Sequence, residues 1–160
     1  MKPILLATDG SPTAEEATEK AIELANLLGA PLVVVTAWDI PYSTLGYAAV
    51  PVVPDLGKLA KEQADKVAAA AATRARSAGV EVQALTLRGF PVEEICRAAE
   101  KHEPQLLVIG SHGWSPIKRL IFGSVSTGVL HHAKCPVLIV PAGAPDEAPE
   151  QKHEQAKAEV

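Results

Sequence analysis

The sequence predicts an α/β fold: a single domain with an open, five-stranded parallel sheet and helices on both faces. Three observations predict it. Five short apolar runs alternate along the 160 residues with four segments of helical period. Four of those runs are continuously apolar rather than alternating, as strands covered on both faces are. Glycine, proline and small capping residues stand at the junctions. Parallel strands need crossover connections, which are right-handed, and strict strand–helix alternation supplies them.

The first run, Ile4–Thr8, ends at Asp-Gly-Ser-Pro, which offers an N-cap and a proline for the first turn of a helix over Thr13–Leu28. Gly29 stands where a C′ glycine belongs, and Leu32–Ala37 is the second strand. A helix over Leu56–Ser77 includes the Ala-rich stretch "KVAAAAATRARSAG", whose side chains lose little entropy in a helix, and Gly79 closes it. The third run, Val80–Leu87, alternates in part, as an edge strand does. After "GFP" comes a helix over Val92–Lys101, then the strand Leu106–Gly110, a helix over Val125–Ala133 and the strand Val137–Val140. The last is short and hydrophobic, and an exposed edge of that kind needs a partner or a cover.

Two segments stand outside the alternation. Trp38 to Asp55 holds three prolines, both tyrosines and a tryptophan, longer than an ordinary connection. It reads either as a lid or partner surface or as an ordered variable loop. Residues 142–160 are rich in Ala, Glu, Pro and Lys with no apolar face and read as a disordered acidic tail, leaving 1–141 as the folded domain.

Composition excludes several function classes. The hydrophobic fraction is 48% but the aromatic fraction only 4%, so the core is built from Ala, Val, Leu and Ile. Net charge is −4, of which the five acids and two lysines of the tail supply −3, so no nucleic-acid surface is expected. Cys96 and Cys135 are too few for a disulfide framework and lack metal-site spacing. The start "MKPILLATDG" falls short of a secretory segment, and no run approaches the ~20 apolar residues of a spanning helix. A cytoplasmic protein without membrane partners is expected.

The chemistry concentrates in "VIGSHGWSPIKRLIFGSVS", Val108 to Ser126. Gly110 and Gly113 let the chain turn and approach a ligand without a Cβ in the way. Gly123-Ser124-Val125-Ser126 opens a helix whose first N–H groups lack intrahelical partners and whose dipole favours an anion. The two serine hydroxyls add donors, and Lys118 and Arg119 are candidate counter-charges. The two ends form a bipartite phosphate seat, neither a Walker loop nor the dinucleotide GxGxxG. Asp9, at the end of the first strand, faces the same crevice if strands one and four are neighbours. It then accepts from ribose hydroxyls, forms an Asx-turn or N-cap, or does both.

These residues resemble the universal stress protein family, in particular its nucleotide-binding branch. The signature G-x2-G-x9-G-[S/T] is complete in Gly110, Gly113 and Gly123-Ser124. "ILLATDGS", "VVVTAWD", "LRGFPVEEI" and "HHAKCPVLIVP" extend the likeness over residues 2 to 141. The resemblance implies a Rossmann-like sheet in the order 3-2-1-4-5 and a homodimer through the last strand, Val137–Val140. It also implies ATP in the switch-point crevice, with Mg²⁺ or Mn²⁺ carried by the phosphates. By the same resemblance Asp9 meets the ribose, and Ala7, Ala37 and Ile109 lie near the adenine or sugar. Gly110, Gly113, Gly123, Ser124, Val125 and Ser126 hold the phosphates. Trp114 and Pro116 depart from the small or basic residues of many relatives.

Other polar residues read more plainly. His112 has no carboxylate or thiol beside it in sequence, so ordering the loop or facing solvent outweighs a general-base role. His131 and His132 are adjacent and cannot form an i,i+4 metal pair; they sit near a helix C-terminus, where positive charge is favoured. Cys96 falls among apolar helix positions and reads as a buried structural thiol, and Cys135 as a packing residue. No catalytic or metal-ligating set emerges. The expected function is regulation of a stress response through ATP binding, with a slow ATPase or a dimeric scaffold that binds no nucleotide as the alternatives.

Overall fold

A computed structural model describes residues 1–39, 56–113 and 122–141 of the chain. Its elements run β1 (Ile4–Ala7), α1 (Pro12–Leu28), β2 (Leu32–Trp38), α2 (Leu56–Ser77), β3 (Val82–Arg88), α3 (Pro91–His102), β4 (Leu106–Gly110), α4 (Ser124–His132) and β5 (Val137–Val140). All neighbouring strands are parallel, in the order β3-β2-β1-β4-β5. From β1 the chain builds outward on one side through β2 and β3, then returns to the other side of β1 with β4 and β5. The direction of winding therefore reverses between β1 and β4, where Ala7 pairs with Ile109. A reversal of this kind opens a crevice at the carboxyl ends of the two strands.

Alternation along the strands divides the core. Ile4, Leu6, Leu32, Val34 and Val108 meet α1 and α2 on one face of the sheet, with Ala17, Ala21, Ala25, Ala71 and Ala75 in the same cluster. Leu5, Ala7, Val33, Val35, Leu107 and Ile109 meet Ile95, Ala98 and Ala99 of α3 and Val129 of α4 on the other. The small alanine faces let helix backbones come close to the sheet, which is how so few aromatic residues suffice. An Arg74 guanidinium on α2 bonds both Glu15 and Glu19 of α1, holding the two helices of the first face together.

The caps form as the sequence predicts. Ser11 Oγ accepts from Ala14 N at the start of α1, and Gly29 ends that helix at φ 61 in the left-handed region. The strands depart from the prediction most at Val80, Trp38 and β5. Val80 is not in β3: its N–H donates to Ala75 O and completes the cap of α2, with Gly79 at φ 80. Trp38, read as the first residue of the long connection, instead ends β2, because it pairs with Arg88, whose guanidinium carbon lies 5.6 Å from the ring centre. In β5 every residue is only partly buried despite its continuous apolar run, because the strand lies at the edge. No described helix is long and apolar enough to cross a membrane.

Candidate functional site

A cavity of about 290 Å³ lies at the carboxyl ends of β1 and β4. This is just under the usual range for ligand sites, about 300–1,000 Å³. The structure brings all ten residues singled out in the sequence to its wall: Ala7, Asp9, Ala37, Ile109, Gly110, Gly113, Gly123, Ser124, Val125 and Ser126. Sequence reasoning missed a part of the apolar wall. Val35 lies two residues before Ala37, and i and i+2 share a strand face. Ile95 and Pro91 come from the first turns of α3, where the apolar period of that helix was the available signal.

The wall is apolar at one end and polar at the other. Ala7, Val35, Ala37, Ile95 and Ile109 make the first; the Gly110–Gly113 turn and the start of α4 make the second. Gly123 is the N-cap of α4 and has no side chain to satisfy the helix's first N–H groups. The earliest helical bond is Thr127 N to Gly123 O at 3.0 Å, so the N–H groups of Ser124, Val125 and Ser126 have no intrahelical acceptor. They supply a positive helix end at the cavity. Asp9 is the one acidic side chain among the described wall residues.

None of Gly110, Gly113 and Gly123 has the positive φ seen at Gly10, Gly29, Gly79 and Gly89, so the loop does not turn through left-handed backbone at these three. What they supply is room. A Cβ on Gly110 would lie 2.9 Å from the backbone carbonyl of Thr13, and one on Gly113 would lie 2.7 Å from Asp9 Oδ2. A Cβ on Gly123 would lie 3.3 Å from Ser111 O.

The serines also separate. Ser126 is 2% exposed, and its hydroxyl donates to Ser111 O at 2.8 Å, with Gly123 O a second acceptor at 3.0 Å. Its hydroxyl is thus committed to the protein, correcting the expectation of two hydroxyl donors, and leaves its N–H toward the cavity. Ser124 is exposed. Together with Gly123 N donating to Ser111 O at 2.7 Å, the Ser126 bond locks the start of α4 to the end of β4. Thr13 Oγ1 donates to His112 O and locks the same loop to α1.

Asp9 Oδ1 accepts from Ser11 N at 3.0 Å, so the Asx-turn reading of Asp9 holds, and the helix cap itself is Ser11. The carboxylate remains exposed on the cavity wall. His112 orders the loop through Nδ1, 3.0 Å from Ser111 Oγ. His131 and His132 lie exposed in the last turn of α4. Cys96 is half-buried rather than buried, since α3 leaves that position at its margin, and burial pushes its thiol up, with Cys135 and Glu100 adding to the effect. Burial likewise raises Cys135. Lys118, Arg119, Trp114 and Pro116, the 40–55 connection and the 142–160 tail lie outside the described residues.

Comparison with known proteins agrees over nearly the whole chain. The model of the universal stress protein family matches residues 1–141. A universal stress protein of Thermus aquaticus is 38% identical over 139 residues, covering 87% of this chain and 98% of the relative. Among solved structures, a universal stress protein in complex with cAMP superposes with a TM-score of 0.65 at 26% identity, covering 89% of this chain and 98% of the other. The Archaeoglobus fulgidus universal stress protein in complex with dAMP gives 0.66 at 25% identity, covering 88% and 98%.

Proposed function

Because this chain belongs to the universal stress protein family, we propose that it is a nucleotide-binding regulatory protein with ATP as its ligand, whose conformation or choice of partner depends on occupancy of the cavity. One observation carries this reading. Asp9 after β1, the Gly110–Gly113 turn after β4 and the first turn of α4 converge on a single cavity at the switch point. The cAMP and dAMP bound by similar proteins support a nucleotide as the class of ligand.

The residues divide the ligand between them. Ala7, Ala37 and Ile109 form the apolar end and take the adenine or sugar. Asp9 accepts from ribose hydroxyls. The phosphates sit at Gly113, Gly123, Ser124, Val125 and Ser126, where the first-turn N–H groups of α4 and the Ser124 hydroxyl donate. Gly110 serves the same seat by letting α1 approach. Mg²⁺ or Mn²⁺ would be carried by the phosphates, since a nucleotide-borne metal needs few protein ligands. The same reading makes the protein a cytoplasmic homodimer joined through Val137–Val140, supported by the edge position and partial burial of β5.

The test begins with the purified protein. It is denatured, any released nucleotide is identified by chromatography and mass, and the emptied protein is titrated with Mg-ATP by calorimetry. The expected result is recovered adenine nucleotide or binding of about micromolar strength, lost in Gly123→Val with helical circular dichroism retained. Absence of both nucleotide and heat would replace this reading with a scaffold that binds none. Phosphate release well above that of Gly123→Val would add a slow ATPase activity.

A further inference from the structure

We propose that His112 contacts the ligand: its Nε2–H donates to a phosphate oxygen of the bound nucleotide, with the ring's proton placed by Ser111. This rests on the nucleotide reading above and adds a residue outside the glycine–serine signature.

The argument starts from two buried polar groups. Ser111 is 3% exposed, and its hydroxyl lies 3.0 Å from His112 Nδ1, the one acceptor for it among the described residues. A buried hydroxyl that does not donate is costly, so Ser111 donates and Nδ1 accepts. The hydrogen of the neutral imidazole is then on Nε2. That atom is itself buried and meets no hydrogen-bond partner among the described residues, although His112 lines the cavity. A buried donor without an acceptor calls for an acceptor from elsewhere.

Position identifies which acceptor. The backbone of His112 is held from two sides, by the Thr13 hydroxyl on its carbonyl and by the start of α4, where a Cβ on Gly123 would lie 3.4 Å from His112 Cα. The ring therefore belongs to the polar end of the cavity, beside the unpaired N–H groups of α4, and not to the apolar end at Ala7, Val35 and Ala37. No lysine or arginine lines the wall among the described residues, so N–H donors are what it offers an anion. Because Nε2 is buried and has no partner among the described residues, a turn of the ring that brings it to the ligand breaks no hydrogen bond at that atom.

The test uses the full chain with ¹⁵N-labelled histidine, the His112 signals being assigned by their loss in His112→Gln. The expected spectrum has Nδ1 unprotonated and Nε2 protonated, and the Nε2 resonance moves on adding AMP or ATP but not adenosine. In calorimetry His112→Ala should weaken AMP binding about tenfold to a hundredfold and leave adenosine within about twofold. His112→Gln, whose amide N–H reaches the Nε2 position, should recover part of the loss. A proton on Nδ1, an Nε2 signal unmoved at saturating AMP, or unchanged AMP affinity in His112→Ala would overturn the proposal while leaving the site reading intact. Failure of the unaltered protein to bind any of the three would overturn both. Should His112→Ala not fold, the ring measurement on the unaltered protein decides alone.

Discussion

Gly110 and Gly113 are three residues apart in one loop, yet they are needed for different reasons. The atom that a Cβ on Gly110 would strike belongs to the backbone of α1, which cannot move without lifting the helix from the sheet. Gly110→Ala should therefore cost about 1–3 kcal/mol of stability, as overpacking does, read as a lower urea midpoint. The atom facing Gly113 is the far end of the Asp9 side chain. Gly113→Ala should cost less than about 1 kcal/mol while displacing Asp9 and weakening nucleotide binding. Equal loss of stability in the two variants would refute this division. The signature presents its three glycines as equivalent, and Ser124 and Ser126 look alike in the sequence. Which glycine makes room for a helix depends on what lies across the crevice, at Thr13 and Asp9 near the start of the chain, and which hydroxyl is spent on Ser111 O depends on how α4 meets the end of β4.

At the scale of elements, β5 is the point of interest. Pro136 O accepts from Leu107 N on β4, and Val140 O from Ser111 N just beyond it. Successive residues of a strand turn their backbone groups to opposite sides, so Val137 and Ile139 direct theirs outward at the open edge. Ile139→Pro would remove one outward N–H without touching the β4 ladder, and proline is tolerated on edge strands in that orientation. If dimerisation runs through this edge, the variant should sediment as a folded monomer where the unaltered protein sediments as a dimer. A variant that remains a dimer would move the interface elsewhere. The elements themselves were legible because period and caps are local: Ser11, Pro12, Gly29 and Gly79 all act where their positions predicted. The errors lie at ends. Val80 is claimed by the cap of α2 and Trp38 by pairing with Arg88, and neither partner is visible from the local pattern.

For the whole molecule, the family model matches residues 1–141, and the reading of that span as the folding unit has a direct test. Removing 142–160 should leave the helical circular dichroism unchanged, the thermal midpoint within about 2 °C and ATP affinity within about twofold. A larger fall in either would make the tail part of the fold or of the site. Strand count, parallel pairing and the residues that line the crevice could be read from the sequence, because hydrophobic period, capping chemistry and the strand–glycine–helix context are written within a few consecutive positions. The sheet order was accessible only through resemblance, since nothing in the local pattern says that β4 pairs with β1. That one pairing sets Asp9 opposite the Gly110–Gly113 turn and encloses His112 between α1 and α4. Burial, orphaned donors and close approach are properties of surfaces that meet only after the chain has folded, and so the tertiary structure alone decided what each residue of the crevice touches.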